Sequence, residues 1–212
     1  MIIAIDGPAG SGKSTLAKDL SQVLKFPYLN TGLCYRAFAL VAIYEDVKDL
    51  IELFSKDIKI SPEISKTLVF YKSEDISERL QSEEIGKKAS EIATNPAFRE
   101  KINELFRSIA TQNLIAEGRD AGTNIFPKAE VKIFLEASAQ ERARRRYNQL
   151  KEQGQEVDFE EILKAIIDRD TRDQNRPVYP FRKAEDAIVI NTTGLSKEEV
   201  LKKALEIIKP RF

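Results

Sequence analysis

Short apolar runs alternate along the chain with longer stretches in which apolar residues recur every three or four positions. Met1-Ile2-Ile3-Ala4-Ile5-Asp6 is short, apolar and partly β-branched, and predicts a buried strand. Leu16, Leu20, Val23 and Leu24 follow at helical spacing. Residues 26–30 read as a second short strand ending at Thr31-Gly32, and an apolar helix runs from Leu33 to about Tyr44. From about Glu45 to Gln81 the texture changes. Asp57-Ile58-Lys59-Ile60 and Thr67-Leu68-Val69-Phe70-Tyr71 alternate around Ser61-Pro62-Glu63, which predicts an antiparallel hairpin or small sheet. A hairpin does not belong in a parallel core, so this stretch reads as an insert. A helix over about 82–94 comes next. Asn95 as N-cap and Pro96 at the first helical position then open another, with Phe98, Ile102, Leu105, Phe106 and Ile109 on one face. Residues 113–117, 131–135 and 187–191 predict three further buried strands. Ser138 with Glu141, and Ser196 with Glu199, each predict a capping box. Asp158 caps a helix carrying Ile162, Ile166 and Ile167 that Pro177 ends, and the final helix stops before Pro210. The alternation predicts a three-layer α/β domain over 1–212, built on a parallel sheet and carrying its insert at about 45–100.

The composition narrows the chemistry. The chain has 212 residues with 34 Lys and Arg against 34 Asp and Glu, so no bulk positive charge holds it to nucleic acid. No run of 18 apolar residues predicts a membrane span and no leader pattern is present, so a cytoplasmic location and no membrane partner are expected. No long apolar stripe demands a second copy, and a monomer is expected. The single cysteine, Cys34, reads as a core residue. Histidine is absent, so catalysis must come from carboxylates, Lys, Arg or a metal. Phosphoryl transfer suits that inventory, because it needs positioning and charge neutralisation more than a strong base.

Gly7-Pro8-Ala9-Gly10-Ser11-Gly12-Lys13-Ser14-Thr15 fits the phosphate-binding template G-x-x-x-x-G-K-[ST], between a predicted strand and a predicted helix. The glycines let backbone N–H groups turn inward on an anion, and the helix start adds its dipole. Lys13 can reach terminal phosphates, and the Ser14 hydroxyl can ligate Mg²⁺. A second charged constellation, Glu117, Arg119 and Asp120, lies at the carboxyl end of the core strand 113–117 and in the residues 118–123 that follow it. An open α/β sheet places its ligand there; the alternative is a loop with an Arg–Asp pair. Arg36 sits among apolar neighbours and needs a partner, either solvent at the surface or an anion. Arg142, Arg144, Arg145 and Arg146 span more than one helix face, and none is singled out. Residues 149–157 are polar and unpatterned, which suits a mobile lid. Arg169, Asp173 and Arg176 share a helix face, as a salt-bridge ladder or, beside a phosphate loop, as a row holding phosphates.

Taken together these motifs resemble the bacterial cytidylate kinases over nearly the whole chain. The resemblance rests on residues 7–15, on Asn30-Thr31-Gly32-Leu33-Cys34-Tyr35-Arg36, on Ser90 with Asn95-Pro96-Ala97-Phe98-Arg99, on Ala116-Glu117-Gly118-Arg119-Asp120 through Phe126-Pro127, on Arg169-Asp170 through Asp173 and Arg176, and on residues 190–196. It implies a P-loop kinase fold with a five-stranded parallel sheet, an inserted subdomain with a small antiparallel sheet on the monophosphate side, and a short lid at about 147–158. It implies transfer of the ATP γ-phosphate to CMP or dCMP with Mg²⁺. Lys13, Arg119 and Arg176 are then the expected catalytic residues. Ser90, Arg99 and Asp120 would read cytosine, Thr31, Arg169 and Asp173 would meet the sugar, and Arg36, Arg119 and Arg176 would gather at the CMP phosphate. Another P-loop kinase acting on UMP, AMP or shikimate is the nearest rival reading. The chain departs from the pattern at Asn30 and Asn191, where Asp is usual, and at Gln81, where Arg is usual.

Overall fold

The computed structural model describes residues 1–211. In chain order the elements are β1 (Ile2–Asp6), α1 (Lys13–Leu24), β2 (Pro27–Asn30), α2 (Thr31–Tyr44), β3 (Ile58–Ile64), β4 (Lys66–Tyr71), β5 (Glu74–Asp75), α3 (Glu83–Ile92), α4 (Pro96–Ser108), β6 (Leu114–Gly118), β7 (Val131–Glu136), α5 (Ala139–Glu152), α6 (Phe159–Gln174), β8 (Ile188–Asn191) and α7 (Lys197–Ile208). All eight strands form one sheet, in the order β5-β4-β3-β2-β6-β1-β7-β8. The strands from β2 to β8 in that order are parallel, as the alternation of strand and helix predicts. Register aligns Asp6 with Gly118 and Asn30 with Glu117, so Asp6, Asn30 and Glu117 come together in the last two rows of the carboxyl edge.

The predicted hairpin is present, and it is not a separate sheet. β3 pairs antiparallel with β2 through Pro27–Ile64 and Tyr28–Glu63, which extends the main sheet past its parallel part. The Thr67 hydroxyl ties the junction, donating to the Tyr28 carbonyl at 2.7 Å and accepting from the Asn30 N–H at 2.8 Å. Thr67 thereby covers what would otherwise be an open strand edge.

Two apolar cores lie on opposite faces of the sheet. One joins α2, α3 and α4 to the sheet; the other joins α1 and α7. α2 is buried on nearly every side, Cys34 included, because the insert covers the face that would otherwise meet water. An aromatic cluster pins α2 to α4: Phe98 lies 5.4 Å from Phe38, 5.0 Å from Phe54 and 5.8 Å from Tyr35 between ring centroids. Each such pair adds about 0.5–1.5 kcal/mol beyond area burial. Helix starts follow the predicted caps. Asn95 Oδ1 accepts from Phe98 N at 2.9 Å, and Ser196 and Glu199 form a full capping box. The box expected at Ser138 is only half made. Ser138 caps Glu141 N, but the Glu141 carboxylate turns outward to Arg145 Nε at 3.0 Å, a charged partner outcompeting a neutral N–H. α5 runs to Glu152, so the first half of the stretch expected to be a lid is helix and residues 153–158 are its irregular remainder.

Candidate active site

The loop between β1 and α1 takes its shape from local constraints. Gly12, at φ 95°, caps α1 in a left-handed conformation that a side chain rarely adopts. A Cβ on Gly7 would lie 2.5 Å from the Leu135 carbonyl oxygen, so the loop touches β7 backbone to backbone. Lys13 folds over the loop and donates to the Pro8 carbonyl at 2.8 Å. Beside it Arg119 donates to the Gly7 carbonyl at 2.7 Å. Burial first, and then the Arg119 guanidinium, push the Lys13 ammonium down to about 7.

An acidic centre faces that loop. The Ser14 hydroxyl donates to Glu117 Oε1 at 2.8 Å, while Glu117 Oε2 is buried without a partner. Asp6 accepts the N–H groups of Ala121 and Gly122 at 2.8 and 2.7 Å, and burial pushes it up to about 6 against those two bonds. Tyr28 lies on the same face of the sheet as Glu117; burial, then that carboxylate, push its phenol up. The hydroxyl and the half-satisfied carboxylate fit a hydrated divalent cation shared with phosphates, since such an ion takes few ligands from protein.

Next to this centre the charged side chains converge. Arg99 is fully buried and pairs with Asp120 at 2.5 Å, sandwiched between the rings of Tyr35 and Tyr179 at 5.6 Å each. Arg119 bridges the two halves of the site, because its Nε meets Asp173 Oδ2 at 2.9 Å while its Nη1 holds Gly7. Its guanidinium also stands over Phe181 at 5.4 Å. Arg176 donates from Nε to the Asp173 carbonyl at 3.1 Å. Burial and Arg119 push Arg169 down to about 10. Arg99 Nε, Arg169 Nε, Arg176 Nη2 and Tyr35 Oη are buried without a hydrogen-bond partner, Arg176 Nη2 meeting only the Asp173 carboxylate at an ion-pair distance of 3.8 Å. Unpaired buried donors are costly, and an anionic, hydrogen-bonding ligand is what satisfies them.

The structure thus brings Lys13, Arg99, Arg119, Asp120, Arg169, Asp173 and Arg176 together. Thr31 lies at the same edge with its hydroxyl on the Glu117 carbonyl at 2.8 Å. Ser90 is half-buried on α3, and Arg36 rests on the carbonyls of Leu80 and Ser82. Of the four clustered arginines, Arg144 and Arg146 are exposed. Arg142 pairs with Asp170 at 2.6 Å and donates to the Ala9 carbonyl at 3.1 Å. Arg145 donates to Thr192 Oγ1 at 3.1 Å and to its carbonyl at 2.7 Å, and walls a cavity of about 300 Å³ with Gly12, Thr15, Asp19, Leu195 and Val200. Thr192 in turn donates to the Ser11 carbonyl at 3.2 Å. Glu117, Asp6, Arg145 and Thr192 had no role assigned by sequence reasoning. The position of Glu117 and Asp6 at the carboxyl ends of adjacent core strands was the available signal; for Thr192 it was only its place in the resembling stretch 190–196.

A strand, a glycine-rich phosphate loop, a helix and a cationic groove at the carboxyl edge of a parallel sheet define a P-loop kinase. The same fold is seen in shikimate kinase from Bacteroides thetaiotaomicron, which is 16% identical and superposes with a TM-score of 0.50 over 99% of this chain and 98% of that one. The family model for cytidylate kinase matches residues 3–210. The cytidylate kinase of Aquifex aeolicus is 54% identical over all of this chain and 97% of its own length, and that of Carboxydothermus hydrogenoformans is 45% identical over 98% and 97%. The chain belongs to the cytidylate kinase family.

Proposed function

We propose that the protein transfers the γ-phosphate of ATP to CMP or dCMP, giving ADP and CDP or dCDP. The observation that carries this reading is the set of buried guanidinium nitrogens on Arg99, Arg169 and Arg176 that lack hydrogen-bond partners, beside Asp120 and Asp173 and within one salt bridge of the phosphate loop. Residues 7–15 take the triphosphate, with the adenine end directed to the cavity walled by Arg145. CMP lies along the arginine groove, on the side of the insert at 45–100. Ser90, Arg99 and Asp120 face the donor and acceptor edge of cytosine. Thr31, whose hydroxyl proton is already used on the Glu117 carbonyl, offers its lone pairs to a sugar hydroxyl, with Arg169 and Asp173 alongside. Arg36, Arg119 and Arg176 hold the acceptor phosphate.

An oxygen of that phosphate attacks the γ-phosphorus in line. The new O–P bond forms as the bond to the β–γ bridging oxygen breaks, and ADP leaves with that electron pair. No general base is required, because a phosphomonoester is largely dianionic at neutral pH, with a second pKa of about 6. Lys13 and Arg119 leave the Pro8 and Gly7 carbonyls for the phosphates and offset the charge on the moving group. Ser14 and Glu117 are the residues that would hold Mg²⁺, which supplies neutralisation of phosphate charge when bound. Residues 147–158, the end of α5 and the loop beyond it, would act as the lid that excludes water. No described helix is long and apolar enough to cross a membrane, and a cytoplasmic location, where its nucleotide substrates are found, goes with this proposal.

Release of ADP from ATP should be measured against a panel of CMP, dCMP, UMP, AMP and shikimate. CMP or dCMP should have the highest kcat/KM. A higher value for AMP, UMP or shikimate, or ADP release indifferent to every acceptor, overturns the reading.

A further inference from the structure

Gly86 sits in the interior of α3, where glycine is less favourable than alanine and where its backbone is not left-handed. Neither a turn nor a cap requires it. The nearest atoms to a Cβ built on Gly86 would all belong to one guanidinium: it would lie 2.7 Å from Arg36 Nη2, 3.1 Å from Cζ and 3.2 Å from Nη1. The same guanidinium donates through Nη1 to the Leu80 carbonyl at 2.8 Å and to the Ser82 carbonyl at 3.0 Å. Those carbonyls flank Gln81, where the 3₁₀ turn Ser77–Gln81 passes into α3. The Ser82 carbonyl also accepts the Gly86 N–H at 3.1 Å, so one short stretch of backbone supplies both the bonds and the gap.

Among the described residues no carboxylate pairs with Arg36. Burial first, and then the Arg146 guanidinium, push Arg36 down, and Arg36 in turn pushes Arg169 down, while its bonds go to neutral carbonyls. Such an arrangement leaves the positive charge available to an anion.

We infer that Gly86 is a positioning residue for the acceptor phosphate: the space it leaves, with the Leu80 and Ser82 carbonyls, forms a cradle that orients Arg36 toward Arg169. The inference rests on the reading of Arg36 as a contact of that phosphate. In solution a free arginine side chain samples many rotamers, and holding it in advance reduces the ordering cost of binding. The cradle belongs to the insert and Arg36 to α2, so the packing of the insert is read out directly at the acceptor site.

The test is a double-mutant cycle of Gly86→Ala and Arg36→Ala, read as KM for CMP, kcat, ATP affinity by titration, and thermal midpoint. The added methyl meets first the tip of a flexible side chain, and alanine favours the helix. Gly86→Ala should therefore keep or raise the thermal midpoint and leave ATP affinity unchanged. It should raise the KM for CMP about tenfold, the scale of one lost charge-assisted contact. In the Arg36→Ala background it should add nothing further, because there is no guanidinium left to displace. The cradle is refuted by an unchanged KM, by an equal rise in both backgrounds, or by a thermal midpoint that falls in Gly86→Ala. A wild-type KM in Arg36→Ala alone instead removes Arg36 from the phosphate site, and the cradle with it.

Discussion

The proposed donor loop and acceptor groove would bind the same kind of charge with different machinery. The loop from Gly7 to Thr15 is one unbroken stretch, shaped by glycine conformations and by contact of its backbone with β7. The groove draws Arg36 from α2, Arg99 from α4, Arg119 from the end of β6, and Arg169 and Arg176 from α6 and the residue pair beyond it. Its donors are side chains, and Arg99 and Arg119 are held by carboxylates and rings from elements other than their own. A backbone site is therefore sensitive to a single methyl at the wrong glycine but indifferent to most neighbouring side chains. A side-chain site depends on the packing that brings its helices together. Arg119, which touches Gly7 and Asp173 at once, is where the two kinds of site are joined.

Loss of the lysine tests the donor half most severely. Lys13→Ala should lower kcat by about a thousandfold, the scale of losing a preorganised cation at a phosphoryl transition state. CMP binding should survive; a near-wild-type rate removes the loop from the mechanism. Packing should matter on the acceptor side alone. Phe98→Ala, remote from the phosphate loop, should cost about 3–5 kcal/mol of stability in a denaturant titration. At temperatures where it stays folded, it should weaken CMP binding more than ATP binding, and equal losses would erase the distinction drawn above.

A smaller change keeps the shape and alters one charge. Asp120→Asn retains a partner for Arg99 but loses its charge, and should raise the KM for CMP by about ten- to a hundredfold with ATP affinity unchanged. Equal loss of both would make Asp120 structural. The smallest effect is a proton. Lys13 stands at about 7 in the free protein, and bound phosphates favour its charged form. Between the free and bound values binding consumes a proton, so ATP affinity should fall as pH rises beyond about 7. Calorimetry at pH 8 in two buffers of different ionisation enthalpy should show proton uptake that disappears in Lys13→Met. Zero uptake in the wild-type protein would place the Lys13 ammonium as charged throughout.

Much of this was readable along the chain. The phosphate loop, the cap at Asn95 and the capping box at Ser196 are local: each needs only residues within a few positions of one another. The core reading of Cys34 followed from its apolar neighbours and holds. Other assignments failed for want of a partner that sequence distance hides. Glu141 had the spacing of a capping box, and Arg145 took its carboxylate. The alternating strands at 58–71 announced a hairpin, but not that Thr67 would dock it on β2. Thr192 is an ordinary turn residue until the fold sets it against Ser11 and Arg145.

The sequence by itself determined the order of strands and helices, the anion loop and the stock of arginines and carboxylates, because hydrophobic period, glycine and capping chemistry act within a few residues. Only the tertiary structure decided which arginine meets which carboxylate, which guanidinium nitrogens stay unpaired, and where Arg36 comes to rest. Those outcomes depend on distances between segments separated by tens of residues. Packing and desolvation set them, and neither is defined until the sheet is assembled.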